Sequence, residues 1–148
     1  MLVYRLTSRM HASKLDGKGA EIYSGRWNTK GNPVIYAAAF RSLAVLEYRV
    51  NNPHPVKGLV MVTLQVPDDN IQQIQLKSLP KNWQMYSYQS PTASIGDNFL
   101  KAKKALCLLV LSAVVPQEHN ILINPLHPKI TEVQILDVQP FLIDQRMY

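Results

Sequence analysis

A chain of 148 residues, 47% apolar and 18% charged, suits one globular domain with a single core. It holds no apolar run of the roughly eighteen residues a membrane-spanning helix needs, and its start, MLVYRLTSRMHASK, lacks the apolar stretch of a signal peptide. The one cysteine, Cys107, cannot form an internal disulfide, and together these features point to a reducing cytoplasm. The net charge of +6 falls within residues 1–60, which hold nine Lys/Arg against three acids, whereas residues 61–148 hold seven of each. Such an excess reads either as a solvated basic face or as a surface for an anionic ligand or partner. A nucleic-acid surface would want clustered basic residues with interleaved aromatics, whereas here the basic residues are scattered singly, which ranks nucleic acid below a small phosphate-bearing ligand or an acidic protein.

In chain order, Leu2–Leu6 reads as a short strand with Val3 and Arg5 on one face and Leu2, Tyr4 and Leu6 on the other. Arg5 points either to solvent or into a cleft. Residues 11–24 are polar and contain Gly17 and Gly19, which predicts a loop. The stretch from Gly25 to Pro33 reads as an irregular ordered connection anchored by Trp27. Arg26, beside a glycine, could approach a phosphate, but composition alone makes it a surface arginine in a turn. Val34–Ala38 predicts a second strand, with Tyr36 on the face of Val34 and Ala38.

Ser42 is placed to cap a helix over Leu43–Asn51, which Asn52 and Pro53 stop. At about 100° per residue, with Leu43 at zero, Leu46 falls near 300°, Val50 near 340° and Glu47 near 40°. Glu47 therefore lies inside the apolar stripe, with Arg41, Tyr48 and Arg49 on the other side. A carboxylate there is unfavourable unless it is paired or faces a pocket, so Glu47 is either a stripe-edge residue paired with an arginine or a functional group.

Leu59–Val66 is a strand with Val60, Val62, Leu64 and Val66 on one apolar face. Ile71–Leu76 fits a strand or a short helix. Residues 77–97 read as a long loop carrying Trp83, Tyr86 and Tyr88, of the kind that often serves function. Asp97 is placed to cap a short helix over Asn98–Lys104. The apolar run Ala105–Leu111 predicts a strand buried on both faces, with Cys107 in the core. Ser112, at its end, either caps the strand or lines a cleft. Strands follow at Asn120–Asn124, at Val133–Val138 and, as the last candidate, at Phe141–Arg146. The sum is a strand-rich α+β domain over residues 1–148.

The four histidines, at 11, 54, 119 and 127, show no metal-ligand spacing, so no metal site is expected. GxGxxG, GxxxxGK[ST] and GxSxG are absent. Arginine, tyrosine, glutamate and serine remain, a set suited to a reaction in which a cation develops: a carboxylate stabilises it, an arginine holds phosphates and an aromatic stacks on a leaving ring.

The stretch GRWNTKGNPVIYAAAFRSLAVLEYRV, residues 25–50, resembles the signature of the RES-domain family, toxins of bacterial toxin–antitoxin pairs named for an Arg, a Glu and a Ser. LSAVVPQEHNILINPLHP, residues 111–128, resembles the second family block, with Leu111 in place of its usual proline, and FLIDQR, residues 141–146, its closing block. The resemblance implies a fold like that of ADP-ribosyltransferases and cleavage of the nicotinamide–ribose bond of NAD by hydrolysis or phosphorolysis, with transfer to a protein as the alternative. Carried over, the family arginine, tyrosine, glutamate and serine fall on Arg26, Tyr36, Glu47 and Ser112. Arg5, Arg26, Asn28 and Tyr36 form the implied NAD-binding set, and NAD is substrate, with no cofactor. The implied partner is an antitoxin with an Xre-like helix-turn-helix, and a homodimer stays open. A non-catalytic basic docking module is the alternative from another class.

Overall fold

The computed structural model describes residues 1–86 and 90–148, so Tyr88 lies outside the described residues. Seven strands form one mixed sheet: β1 (Leu2–Ser8), β2 (Ile35–Ala38), β3 (Leu59–Gln65), β4 (Ile71–Gln73), β5 (Cys107–Leu111), β6 (His119–Ile123) and β7 (Gln134–Pro140), in the order β4-β5-β6-β2-β1-β3-β7. Among the described residues only β4 and β5 run parallel; every other strand pair is antiparallel. Among the described residues three α-helices accompany the sheet: α1 (Lys18–Ile22), α2 (Arg41–Asn51) and α3 (Ser90–Ala102).

The sheet has an uneven seam. β1 is in register with β3 from Leu2↔Gln65 to Ser8↔Leu59, and β2 with β6 from Ile35↔Ile123 to Ala38↔Asn120. Between β1 and β2 the register is the single pair Tyr4↔Ala38. Two well-paired half-sheets thus meet at a loose join, and α2 packs across it against both β1 and β2. A join of that kind leaves side chains of both strands facing a gap that ladder hydrogen bonds do not close.

Core formation follows the apolar runs. Val60, Val62, Leu64 and Val66 pack with Val3, Cys107, Ile121 and Ile123. Both faces of β3 are buried, so Thr63 lies inside as well. A second cluster joins Trp27 and Trp83, whose rings are tilted at 6.5 Å, to Phe99, Leu100, Leu108 and Leu122. Leu43 and Ala44 of α2 pack with Leu6, Ala38, Met61 and Ile143 in a third.

Several expectations are corrected. Residues 11–24 are not all loop: a 3-10 turn lies over Arg9–His11 and α1 follows. α2 starts at Arg41 behind an extended Phe40 with no side-chain cap, so Ser42 lies in the first turn and is not the cap. Ile71–Leu76 resolves into β4 and the start of a 3-10 turn over Leu76–Ser78. α3 begins at Ser90, well before the predicted Asn98. Pro91 is tolerated in its first turn because the missing N–H has no helical acceptor there. Asp97 is consequently mid-helix and caps nothing; its carboxylate accepts from Thr29 N at 3.0 Å and Thr29 Oγ1 at 2.7 Å. Lys103 and Lys104 fall beyond the helix end, and Lys103 leaves it with φ 49°. Phe141–Arg146 forms no strand; Asp144 Oδ1 accepts from Arg146 N at the head of a 3-10 turn over Gln145–Met147.

Candidate functional site

Over the β1–β2 seam lies a cleft of about 690 Å³. Arg5 of β1, Tyr36 of β2, Glu47 and Tyr48 of α2, Arg26 of the connecting loop and Asn120 of β6 all line it. Sequence reasoning named four of these six.

Glu47 is the centre of the arrangement. α2 buries Leu43 and Ala44, and Tyr48 packs with them while Val50 is exposed. The buried face is therefore turned from the predicted stripe towards Ala44 and Tyr48, which carries Glu47 from the stripe's edge to near its middle. Its Oε1 accepts from Ser112 Oγ at 2.7 Å and from Asn120 Nδ2 at 2.5 Å. Among the described residues no cation lies within ion-pair distance of it and no hydrogen bond reaches Oε2. The arginine pairing considered from sequence does not form. Glu47 is held by neutral donors, which fix the carboxylate without neutralising its charge.

Ser112 is 0% exposed at the end of β5. Its Oγ accepts from Val114 N at 3.1 Å and Val115 N at 2.9 Å, so its one proton is left for Glu47. The hydroxyl is turned to Glu47 and does not line the cleft wall.

The GRWN turn is built around Asn28, also 0% exposed. Its Nδ2 donates to Ala20 O at 2.8 Å and Tyr23 O at 3.2 Å, and its Oδ1 accepts from the Tyr36 hydroxyl at 2.7 Å. Trp27 N donates to that same hydroxyl at 3.3 Å. Gly25 is demanded by close approach: a Cβ there would sit 2.7 Å from the Tyr36 hydroxyl and 2.9 Å from Asn28 Oδ1. Asn28 thus fixes the loop and the hydroxyl end of Tyr36, with its amide spent on backbone carbonyls.

The two arginines differ. Arg26 donates through Nη1 to the carbonyls of Trp83 and, at 3.1 Å, Met85, and through Nη2 to Gln84 O at 3.4 Å. It ties residues 83–85 to the cleft, beside the exposed Tyr86 at its mouth. Arg5 donates through Nη1 to Lys14 O at 3.1 Å. Burial pushes its guanidinium below the usual arginine range, and the charge of Asp16 acts in the opposite sense. A desolvated cation facing a cleft is a natural seat for an anion. Of the nine basic residues in positions 1–60, only these two line the cleft. Arg41 instead lies over the Tyr4 ring at 4.2 Å, and Arg49 over the Tyr148 ring at 4.3 Å.

Asn120 and Tyr48 were missed from sequence. Asn120 shares a strand face with Leu122, opposite Ala38 and Val110, a signal visible only once the β2–β6 register is known. The other asparagine of the second block is structural: buried Asn124 donates to Leu100 O at 2.9 Å, fastening the end of α3. Among the described residues no three His, Cys, Asp or Glu side chains group as metal ligands would. The chemistry in place is a fixed anion, two cations and tyrosine rings around one cavity.

The chain is similar over nearly its whole length to known proteins. The sequence profile of the RES domain matches residues 2–144. The chain is 37% identical over 152 aligned residues to a Yersinia enterocolitica protein named Toxin Res, with 99% of both covered. It is 34% identical over 141 residues to the "Prs ADP-ribosylating toxin" of a Sphingobium species, covering 92% of this chain and 88% of that protein. In three dimensions it resembles a chain of the M. tuberculosis MbcT–MbcA toxin–antitoxin complex with a TM-score of 0.78 at 17% identity, covering 95% of this chain and 84% of that one. That likeness shows a shared fold, the α+β architecture expected from the sequence.

Proposed function

The chain belongs to the RES domain family, and on the geometry of its cleft we propose that it is the toxin of a toxin–antitoxin pair that cleaves the nicotinamide–ribose bond of NAD. The single observation that carries the chemistry is Glu47, a carboxylate fixed by Ser112 and Asn120 with no arginine to neutralise it. As the C1′–N1 bond breaks, its electron pair leaves with nicotinamide and a positive charge develops on the ribose. Water attacks C1′ and releases a proton, giving ADP-ribose; with phosphate as acceptor the product is ADP-ribose phosphorylated at that same carbon. A fixed negative charge about 4 Å from the developing cation is worth about 4 kcal/mol at an effective dielectric of ~20, roughly a thousandfold in rate. Glycoside-cleaving carboxylates act on the same kind of cation.

Arg5 is the primary phosphate contact in this reading, because it is desolvated and lines the cleft without an ion pair among the described residues. Arg26 contributes by holding the 83–85 wall. Tyr36, fixed at its hydroxyl by Asn28, offers its ring to nicotinamide or its ribose. The names of the relatives support the toxin role, and the toxin–antitoxin title of the structural neighbour supports an antitoxin partner, which we take to be of the Xre-like helix-turn-helix type. Among the described residues no helix is long and apolar enough to cross a membrane, in keeping with action on a dissolved nucleotide.

Nicotinamide release from NAD by the purified chain tests the proposal. Wild type should turn over, and Glu47→Gln should lose about 100- to 1,000-fold in kcat. Equal rates would remove Glu47's electrostatic role. A second reading, ADP-ribosyl transfer to a protein, is favoured by the name of the Sphingobium relative. Labelled NAD incubated with lysate decides between them: transfer labels a protein band, whereas cleavage leaves the label in free ADP-ribose.

A further inference from the structure

Asn120 belongs to no part of the site predicted from sequence, yet among the described residues it makes the shortest hydrogen bond to the central carboxylate, 2.5 Å from Nδ2 to Glu47 Oε1. We infer that Asn120 is a positioning residue for cleavage: with Ser112 it clamps one oxygen of Glu47 so that the other faces the sugar cation. The inference rests on the NAD-cleaving reading above and adds a residue to it.

Three elements meet at this oxygen. Glu47 comes from α2, Ser112 from the end of β5 and Asn120 from inside β6. Asn120 is backed on both sides by ladder partners, Ala38 on β2 and Val110 on β5, so its amide projects from a fixed backbone. An ionised carboxylate only accepts hydrogen bonds, so the Asn120 NH2 must face it. Both donors converge on Oε1, and no described residue bonds Oε2. A single donor would leave the carboxylate free to swing about that contact; two donors from different strands fix its rotation as well as its distance. The clamp therefore selects which oxygen meets the substrate and spares Glu47 a reorganisation step as charge develops. Ser112 is committed to the same task, because two backbone N–H groups occupy its acceptor side.

A residue that acts through Glu47 has a distinctive signature. Its loss should lower kcat and leave KM for NAD nearly unchanged, and the effect should vanish once Glu47 has lost its charge. The experiment is a double-mutant cycle on the purified chain: wild type, Asn120→Ala, Glu47→Gln and the double variant, read as nicotinamide release with thermal midpoints alongside. Asn120→Ala should reduce kcat about 10- to 100-fold, the range for a hydrogen bond to a charged group. In the Glu47→Gln background the same change should alter kcat by less than about threefold. Asn120→Asp keeps the side-chain shape and replaces the donor with an acceptor, so it should be at least as slow as Asn120→Ala. It guards against a variant that simply unfolds. Additive losses, or an Asn120→Asp chain with wild-type kcat, would overturn the clamp and leave NAD cleavage standing. A wild-type chain that releases no nicotinamide overturns the functional reading itself, and the clamp with it.

Discussion

Glu47 is unusual among carboxylates on a packed helix face because its partners are neutral. Pairing with an arginine would have cancelled the charge the chemistry needs. Hydrogen bonds from Ser112 and Asn120 fix the carboxylate at the cleft without an opposing charge. Arg26 shows the reverse division of labour. The carbonyls of Trp83, Gln84 and Met85 that it reaches match a guanidinium fork and not a lysine ammonium. Arg26→Lys should therefore loosen residues 83–85, detected as faster proteolysis or amide exchange there, and should raise KM more than it lowers kcat. Unchanged exchange in that segment would mean the fork is dispensable. At this scale the sequence exposed Glu47 through its place in an apolar stripe. It could not expose Asn120, whose role depends on a strand pairing between residues about eighty apart in the chain.

Among the elements, α3 carries the clearest structural constraint. Gly96 lies in mid-helix, where glycine is normally unfavourable by about 1 kcal/mol relative to alanine. Here a Cβ would fall 1.7 Å from the carbonyl oxygen of Trp27, backbone that cannot yield as a side-chain tip can. Gly96→Ala should thus destabilise by at least about 1–3 kcal/mol despite its better helix propensity. Thermal or urea unfolding checks the sign: a gain in stability would mean that α3 does not sit against the GRWN turn. Asp97 adjoins this contact and accepts two hydrogen bonds from Thr29, so the helix fixes the loop that carries Arg26 and Asn28. The sequence misled here because Pro91 and Gly96 read as loop residues. One occupies the first helical turn, and the other is required by tertiary contact. Strands β3 and β5 were legible because their apolar runs need no partner to be recognised.

β5 also offers a chemical probe. Cys107 is buried, and burial raises its thiol from 9.0 to about 12. Its folded pKa lies above its unfolded one, so the thiol's contribution to stability is complete below about 9 and is lost as pH rises towards 12. At pH 8 the native chain should not react with a thiol reagent, and in denaturant it should react at its one cysteine. Labelling of the native chain at a rate near the denatured one would contradict the burial of β5.

For the whole molecule, the loose β1–β2 join explains why the cleft lies where it does. One register pair joins the half-sheets along the ladder, while a shared core packs them together and α2 spans them, placing Glu47 over the seam. The N-terminal charge excess was legible, but its meaning shifted: two of nine basic residues line the cleft, and others serve packing, as Arg49 does in donating to Met147 O at 2.6 Å. The site is thus a local arrangement more than a product of overall charge. The most direct test of the central claim is intracellular NAD in the first minutes after induced expression, with Glu47→Gln produced to the same level. The account predicts that NAD falls with the wild-type chain, before or together with growth arrest, and holds steady with the variant. NAD that stays constant while wild-type cells stop growing would contradict it.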